Sequence, residues 1–350
     1  MIHFKTDYMS GACEPVLRKI IETNNENTAG YGADPRSKHA ASLIKEACGL
    51  PEESVVFFLV GGTQTNATIL DTMLYKGHGV LCTETAHINV HEAGAVEETG
   101  HKVLPIADKA VDSEGKPTGK MRPEALLLWL KMFYSDDTYE HMVNPSVVYL
   151  SQPSEFGTIY SLKELEQIRA ICDEYGLYLY IDGARLGAAL AAEGNEVTLK
   201  DLSRLCDAFY IGGTKMGALL GEAVVMPDPK LLRHVITFIK SHGALLAKGH
   251  LQGVQFEALF TDDNYYKIGR HEVELAMLLN KGLKEKGYKT YINSPTNQQF
   301  FVLPNEVIDR LQKVATFELW GPRREKETPV RFVTTWSTTK ADVEDLLAAI

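Results

Sequence analysis

Three short stretches of this chain gather residues that could do chemistry, and each follows an apolar run. The first is Gly61-Gly62-Thr63-Gln64-Thr65-Asn66. Glycines let a backbone approach a ligand closely. The free N–H groups and dipole at a helix start favour a phosphate, and the Thr63 hydroxyl adds a donor. The second is Ile181-Asp182-Gly183-Ala184-Arg185. A carboxylate at a strand end can pair with a protonated ring nitrogen, and the guanidinium beyond it can grip a carboxylate with two prongs. The third is Ile211-Gly212-Gly213-Thr214-Lys215-Met216-Gly217-Ala218. A lysine set among glycines and apolar residues is partly desolvated, which suits it to a Schiff base. Each stretch also has a plain reading. These are an ordinary strand-to-helix turn, an N-cap aspartate with an arginine partner, and a surface lysine in a turn.

The three together, in this order, are more specific than any one. A phosphate turn, an acid for a ring nitrogen and then a lysine thirty-three positions beyond Asp182 form a known sequence. It is the pattern of pyridoxal phosphate (PLP) enzymes with the aspartate aminotransferase fold, fold type I. The acid keeps the pyridine ring charged, so the ring accepts electrons from a substrate carbanion. The segment Ala86-His87-Ile88-Asn89-Val90-His91-Glu92-Ala93-Gly94 adds His87, an aromatic side chain able to lie flat over such a ring. A lone histidine is more often structural.

These residues need a sheet to hold them. Apolar runs at Ser54–Val60, Val147–Leu150, Leu177–Ile181, Ala208–Ile211 and Ala223–Val225 read as strands. Helical patterns at Gln64–Tyr75 and from the Ser161-to-Glu164 capping box to Tyr175 lie between them. Such alternation predicts an α/β fold with a mainly parallel sheet. Ligands of these sheets sit beyond the carboxyl ends of the strands, where the three motifs fall. Asp108–Lys120 reads as a polar surface excursion, Pro227–Lys240 as a helix leaving the sheet, and Gly249–Gly282 as a helical link. Strands at Phe300–Leu303, Phe317–Leu319 and Arg331–Trp336, with helices at Glu306–Val314 and Lys340–Ile350, predict a small C-terminal α+β domain. The expected division is an N-terminal arm (1–30), a cofactor-binding large domain (31–261) and the small domain (262–350).

Bulk properties exclude other classes. A net charge of −10 offers no basic stripe for nucleic acid. The five cysteines form no CxxC pair, which excludes a zinc site or disulfide framework by spacing and predicts small buried hydrophobes and no metal. No basic-then-apolar leader and no run of about 20 apolar residues is seen, so a cytoplasmic protein away from membranes is expected. A GxGxxG turn after the first strand, as a nucleotide-dependent dehydrogenase needs, is missing.

The chain resembles the low-specificity L-threonine aldolases of the beta-eliminating lyase superfamily. Thr6-Asp7, Tyr31-Gly32-Ala33-Asp34-Pro35, Gly61–Asn66, Ala86-His87 with Glu92-Ala93-Gly94, Asp182–Arg185, Thr214-Lys215 and Arg331-Phe332-Val333-Thr334 carry the likeness. The resemblance implies roles. Lys215 would anchor PLP covalently, Asp182 would pair with its ring nitrogen, Gly62 and Thr63 would bind its phosphate, and His87 would stack on the ring and assist proton transfer. Arg185 and Arg331 would clamp the substrate carboxylate with help from Thr6. Tyr31 and Asp34 would lie on a loop near the active site, of its own or of the neighbouring subunit, with Tyr31 binding substrate. Lys248 would replace an arginine that reaches the partner's phosphate. The family's usual Ser-Asp-Thr is Thr6-Asp7-Tyr8 here, its Ser-Lys-Gly-Leu-Gly is Thr214–Ala218, and its Glu-Asn-Thr is Gln152-Pro153-Ser154-Glu155.

The implied activity is retro-aldol cleavage of L-threonine, L-allo-threonine or a related small β-hydroxy amino acid to glycine and an aldehyde. His87, a histidine-held water or His141 would be the base, in a homodimer or homotetramer with shared sites. Two rivals use the same residues, a PLP-dependent β-elimination lyase and, third, an aminotransferase. A non-catalytic binding protein of this fold is the rival from another class.

Overall fold

The fold is described from a computed structural model covering residues 1–107, 109–228, 230 and 234–350. The chain opens with β1 (Ile2–His3), α1 (Glu14–Thr23) and α2 (Pro35–Cys48). It then alternates through β2 (Val55–Leu59), α3 (Gly62–Met73), β3 (His78–Thr83), α4 (His87–Val90), α5 (Ala95–Glu98), β4 (Lys102–Ile106) and α6 (Pro123–Tyr134). Next come β5 (Asn144–Ser151), α7 (Leu162–Tyr175), β6 (Tyr178–Asp182), α8 (Leu186–Ala191), α9 (Leu199–Leu205), β7 (Ala208–Gly212) and β8 (Glu222–Met226). Helices α10 (Val235–Ser241), α11 (His250–Phe260) and α12 (Asn264–Glu285) lead to β9 (Lys289–Ile292) and β10 (Gln298–Pro304). The chain closes with α13 (Asn305–Leu311), β11 (Ala315–Thr316), β12 (Glu318–Leu319), β13 (Glu327–Val333) and α14 (Lys340–Ala349).

Seven strands form the main sheet in the order β2-β8-β7-β6-β5-β3-β4. Neighbours from β7 to β4 are parallel, while β8 runs antiparallel to both β2 and β7. The carboxyl ends of β2, β3, β5, β6 and β7 therefore share one edge, and β8 begins at that same edge. Both faces are buried. On β5, Val148 and Leu150 join the core beneath α2, α7 and α9, while Val147 and Tyr149 join the core beneath α3 and α10. That is why these strands read as continuous apolar runs instead of alternating ones. A four-stranded sheet, β12-β13-β10-β9, packs with α12, α13 and α14 around a third core that includes Phe301, Phe332 and Leu279.

Capping chemistry fixes several boundaries. Ser161 and Glu164 form the expected reciprocal box at the start of α7. Thr198 with Asp201 and Thr339 with Asp342 do the same for α9 and α14.

The structure differs from the sequence reading in identifiable places. Strands β3 and β4 and the apolar helix α6 had not been singled out. The run expected at Arg331–Trp336 is shifted to Glu327–Val333, because Thr334 turns away to bond Glu272 and Asn297. Helix α10 starts at Val235, and residues 229 and 231–233 of the expected Pro227–Lys240 helix lie outside the described residues, as does residue 108 of the polar excursion. The first residues are tied down: β1 pairs in parallel with β11, and α1 packs on α11.

Candidate active site

Strand alternation builds the site. On β6, Tyr180 and Asp182 face the same side, and neighbouring strands bring Tyr149 and Tyr210 to that side. Asp182 Oδ2 accepts from Tyr149 Oη (2.6 Å) and Asn66 Nδ2 (3.0 Å), and Oδ1 accepts from Tyr210 Oη (2.6 Å) and the Ala184 N–H (3.0 Å). Burial opposes the charge on Asp182, but these four donors hold its carboxyl below the ordinary value. Asp182 is thus a buried, ionised carboxylate at the carboxyl edge of the sheet.

The motif around it needs glycine for space. A Cβ on Gly183 would stand 1.9 Å from the Tyr210 carbonyl oxygen, because β6 turns off directly against β7. Lys215 rides on the loop from β7 to β8, which carries Gly217 at φ 86°. Among the described residues, no hydrogen bond or ion pair ties down its Nζ. Burial and nearby Arg185 push the Lys215 ammonium down, with Asp7, Asp182 and Glu222 pulling the other way. Beneath that loop, Glu222 accepts from Thr214 Oγ1 (2.8 Å) and the Gly213 N–H (3.1 Å). Burial raises the Glu222 carboxyl to about 8.

Helix α3 begins at Gly62 with no side-chain cap, so its first N–H groups are not satisfied within the helix. A Cβ on Gly62 would meet Tyr210 Oη at 3.2 Å. His87 opens α4 beyond β3. Its Nδ1 lies 2.7 Å from Glu92 Oε1, which also accepts from Asn66 Nδ2 at 2.8 Å. With Glu92 as the acceptor, Nδ1 is the donor of this bond, and no hydrogen bond is seen at Nε2 among the described residues.

Gly62, Thr63, His87, Asp182, Arg185 and Lys215 all line one cavity of about 340 Å³. Sequence reasoning had reached these six. It left Tyr8 open and assigned no role to Glu92, Tyr210 or Glu222, which share the wall. Asn66 lies one helical turn beyond Gly62, and that spacing was a signal for it. The two tyrosines that hold Asp182 gave none, because they come from separate strands, β5 and β7.

Other expected residues are tied up or stand elsewhere. Arg185 is not free: its Nε and Nη2 grip Asp7 at 2.6 and 3.0 Å. Burial would raise the Asp7 carboxyl, but Arg185 and Lys215 bring it down to about 2. Thr6 keeps a buried hydroxyl with no partner among the described residues and does not line the cavity. Arg331, on β13, donates from Nη1 to Gln298 Oε1 (2.8 Å), pairs with Glu318 and lies over the Trp320 ring at 5.2 Å. Tyr31 lines a different cavity, with Lys240 over its ring at 4.7 Å. Asp34 caps α2 through the Ser37 N–H (2.8 Å). Lys248 is exposed before α11. His141 is exposed ahead of β5, at the end of the sheet away from the cavity.

A family model described as beta-eliminating lyase matches residues 3–304. The low specificity L-threonine aldolase of a Pseudomonas species is 28% identical over 99% of this chain and 96% of its own length. The solved structure of Leishmania major threonine aldolase is 36% identical, covers 99% of this chain and 98% of that one, and superposes with a TM-score of 0.93. A Thermus thermophilus aspartate aminotransferase is 15% identical with a TM-score of 0.69 over 100% of this chain and 90% of that one. That last likeness shows the fold, which is of the aspartate aminotransferase type as the motif order implied.

Proposed function

This chain belongs to the beta-eliminating lyase family, and we propose that it cleaves L-threonine, L-allo-threonine or a related β-hydroxy-α-amino acid to glycine and an aldehyde. The carrying observation is the meeting of Lys215, Asp182 and the uncapped start of α3 around one cavity. The threonine aldolase names of its relatives support the substrate class.

The residues fit pyridoxal 5′-phosphate. Lys215 offers an untethered amine lowered toward its neutral form, which is the nucleophile that a carbonyl needs. The α3 start, with Gly62 and Thr63, offers backbone and hydroxyl donors to a phosphate. Asp182 offers an ionised partner to a ring N–H. Its four acceptor positions are already used, so a ring N–H would take over from one donor; Tyr149 has Ser151 Oγ at 3.4 Å as another partner. The bound cofactor would supply an electron sink for the pair released at Cα.

The protein's own groups do the rest. Arg185, which lines the cavity and is steadied by Asp7, holds the substrate carboxylate and so orients the Cα–Cβ bond, and Arg331, near enough to feel the Arg185 charge, would join it on release from Gln298 and Glu318. His87, steadied by Glu92, covers the cofactor face and excludes water from it. The Cα–Cβ bond breaks as a base removes the β-hydroxyl proton, and a group with an open lone pair on the cavity must take it.

The same reading makes residues 31–261 the cofactor-binding domain, 262–350 a smaller domain and 1–30 an arm. Tyr31 and Lys248, outside their own chain's cavity, would serve the partner's site in a homodimer or homotetramer. All five cysteines are free and buried, in keeping with a reducing cytoplasm.

The test is the visible spectrum with PLP, before and after L-threonine, with glycine and acetaldehyde assayed together. Both products appearing from a yellow protein is the expected result. Pyruvate and ammonia from a β-substituted amino acid, with threonine inert, would move the assignment to β-elimination. A protein that stays colourless with PLP would refute both.

A further inference from the structure

Four acidic side chains line the cavity: Glu92, Glu155, Asp182 and Glu222. Three have their oxygens committed or sealed. Asp182 has its four donors. Glu222 spends one oxygen on Thr214 and the other on Gly213. Glu92 uses Oε1 for His87 and Asn66, and its Oε2 is sealed from solvent. Glu155 differs. Its Oε1 accepts from the His87 N–H (3.0 Å) and from Ser151 Oγ (2.7 Å). Its own backbone N–H also supports the carboxylate, and no bond from another described residue is seen at Oε2. Glu155, which lines the cavity, thus has one oxygen anchored by two neighbours and a second that no other described residue bonds.

We propose that Glu155 is the base that takes the substrate's β-hydroxyl proton, through Oε2. This rests on the aldolase reading above. The O–H bond breaks, its proton passes to Oε2, and its electron pair makes the new C=O bond of the aldehyde. The Cα–Cβ pair stays with the glycine fragment, which then takes a proton at Cα. Glu155 returns its proton to solvent, so no other reactant is needed. The anchoring is apt for the task. One carboxylate oxygen fixes the backbone of the residue that covers the cofactor, so base and cover keep a constant separation. Ser151, at the end of β5, sets the height of the carboxylate above the sheet.

Electrostatics agree with the geometry. Burial pushes the Glu155 carboxyl up, Ser151 opposes this, and Asp182 adds to it. A base gains strength as its pKa approaches the working pH. The titratable groups facing it are Asp182 from β6, Tyr149 from β5, Cys82 from β3, and His87 and Glu92 from α4 and the turn after it. The ionised form is the active one, so the rate falls as pH drops through this raised value.

The test compares PLP-loaded wild type, Glu155→Gln and Glu155→Asp. It reads kcat against pH for L-threonine, and the change in visible spectrum when glycine binds. Glycine has no β-hydroxyl, so its response reports an intact cofactor site. Glu155→Gln is expected to lose roughly 10²–10⁴-fold in kcat and the acid limb of the profile, with the glycine response kept. Glu155→Asp should recover part of the rate and a shifted limb. Wild-type cleavage by Glu155→Gln with the limb unmoved would overturn the proposal. So would loss of the glycine response along with cleavage, which marks a role in holding His87. A wild type that yields no glycine from threonine fails at the aldolase reading itself and takes this base with it.

Discussion

Asp7 and Arg185 show how much a site can depend on one buried pair. Neither charge is stable there alone, so Asp7→Asn should cost about 3–5 kcal/mol by leaving a buried guanidinium uncompensated. Denaturant unfolding measures this. The pair also sets an acid limit. A carboxyl at about 2 when folded and near 3.9 when unfolded contributes about 2–3 kcal/mol. That contribution is present above pH ~4 and lost as pH falls toward ~2. Wild type should therefore lose stability over that range, and Asp7→Asn should not. Glu272 has the opposite sign. Burial, with Asp7 nearby, lifts its carboxyl well above the ordinary range. Its neutral folded form costs stability once pH rises above its unfolded value near 4.3. Glu272→Gln should thus raise the Tm, by more at pH 7 than at pH 4. At Lys215, Lys215→Ala should bind PLP without a covalent link, so borohydride treatment should no longer fix the cofactor to the chain, as mass spectrometry would show. At this scale Lys215, Asp182 and His87 were legible in the sequence as members of one cavity, because each sits in a compact local motif. Asp7 as the partner of Arg185 was not, since 178 positions separate the two.

At the scale of elements, β5 and β7 flank β6 as a rack that sets two tyrosines, Tyr149 and Tyr210, against Asp182. Their closeness depends on Gly183, where an added methyl would lie 1.9 Å from the Tyr210 carbonyl oxygen. Gly183→Ala should separate the ends of β6 and β7, giving weak PLP binding and a lowered Tm, measured by titration and by thermal scan. The α7 cap is more modest. Ser161→Ala removes the acceptor for the Glu164 N–H at 3.2 Å and should cost about 1 kcal/mol without touching the cofactor site. Sequence located α7 closely because caps are written within four residues. It placed the last strand too far along because the departure of Thr334 is dictated by bonds to Glu272 and Asn297, remote in sequence.

In the whole molecule, the antiparallel β8 brings Glu222 to the carboxyl edge of the otherwise parallel sheet, beneath the Lys215 loop. The β1 strand closes on β11 across more than 300 residues, so the two ends of the chain stabilise each other. The shared-site reading adds a prediction at this scale. Light scattering should give twice or four times the 38.9 kDa chain mass. Tyr31→Ala should lower activity even though Tyr31 is outside the cavity of its own chain.

The sequence by itself determined the fold class, the order of the phosphate turn, acid and lysine, and the six cavity residues that those motifs contain. Local spacing and periodic burial are enough for that, since each is set by neighbours along the chain. Tertiary structure alone decided which oxygens are spent and which are open. It bound Arg185 to Asp7, put Arg331 on Gln298 and Glu318, moved Tyr31 and Lys248 out of this chain's cavity, and anchored Glu155 in the cavity wall by one oxygen. Those outcomes depend on hydrogen bonds between distant strands and loops. A buried carboxylate's proton affinity is set by whatever donors and charges the fold delivers to it, and no spacing rule along the chain encodes them.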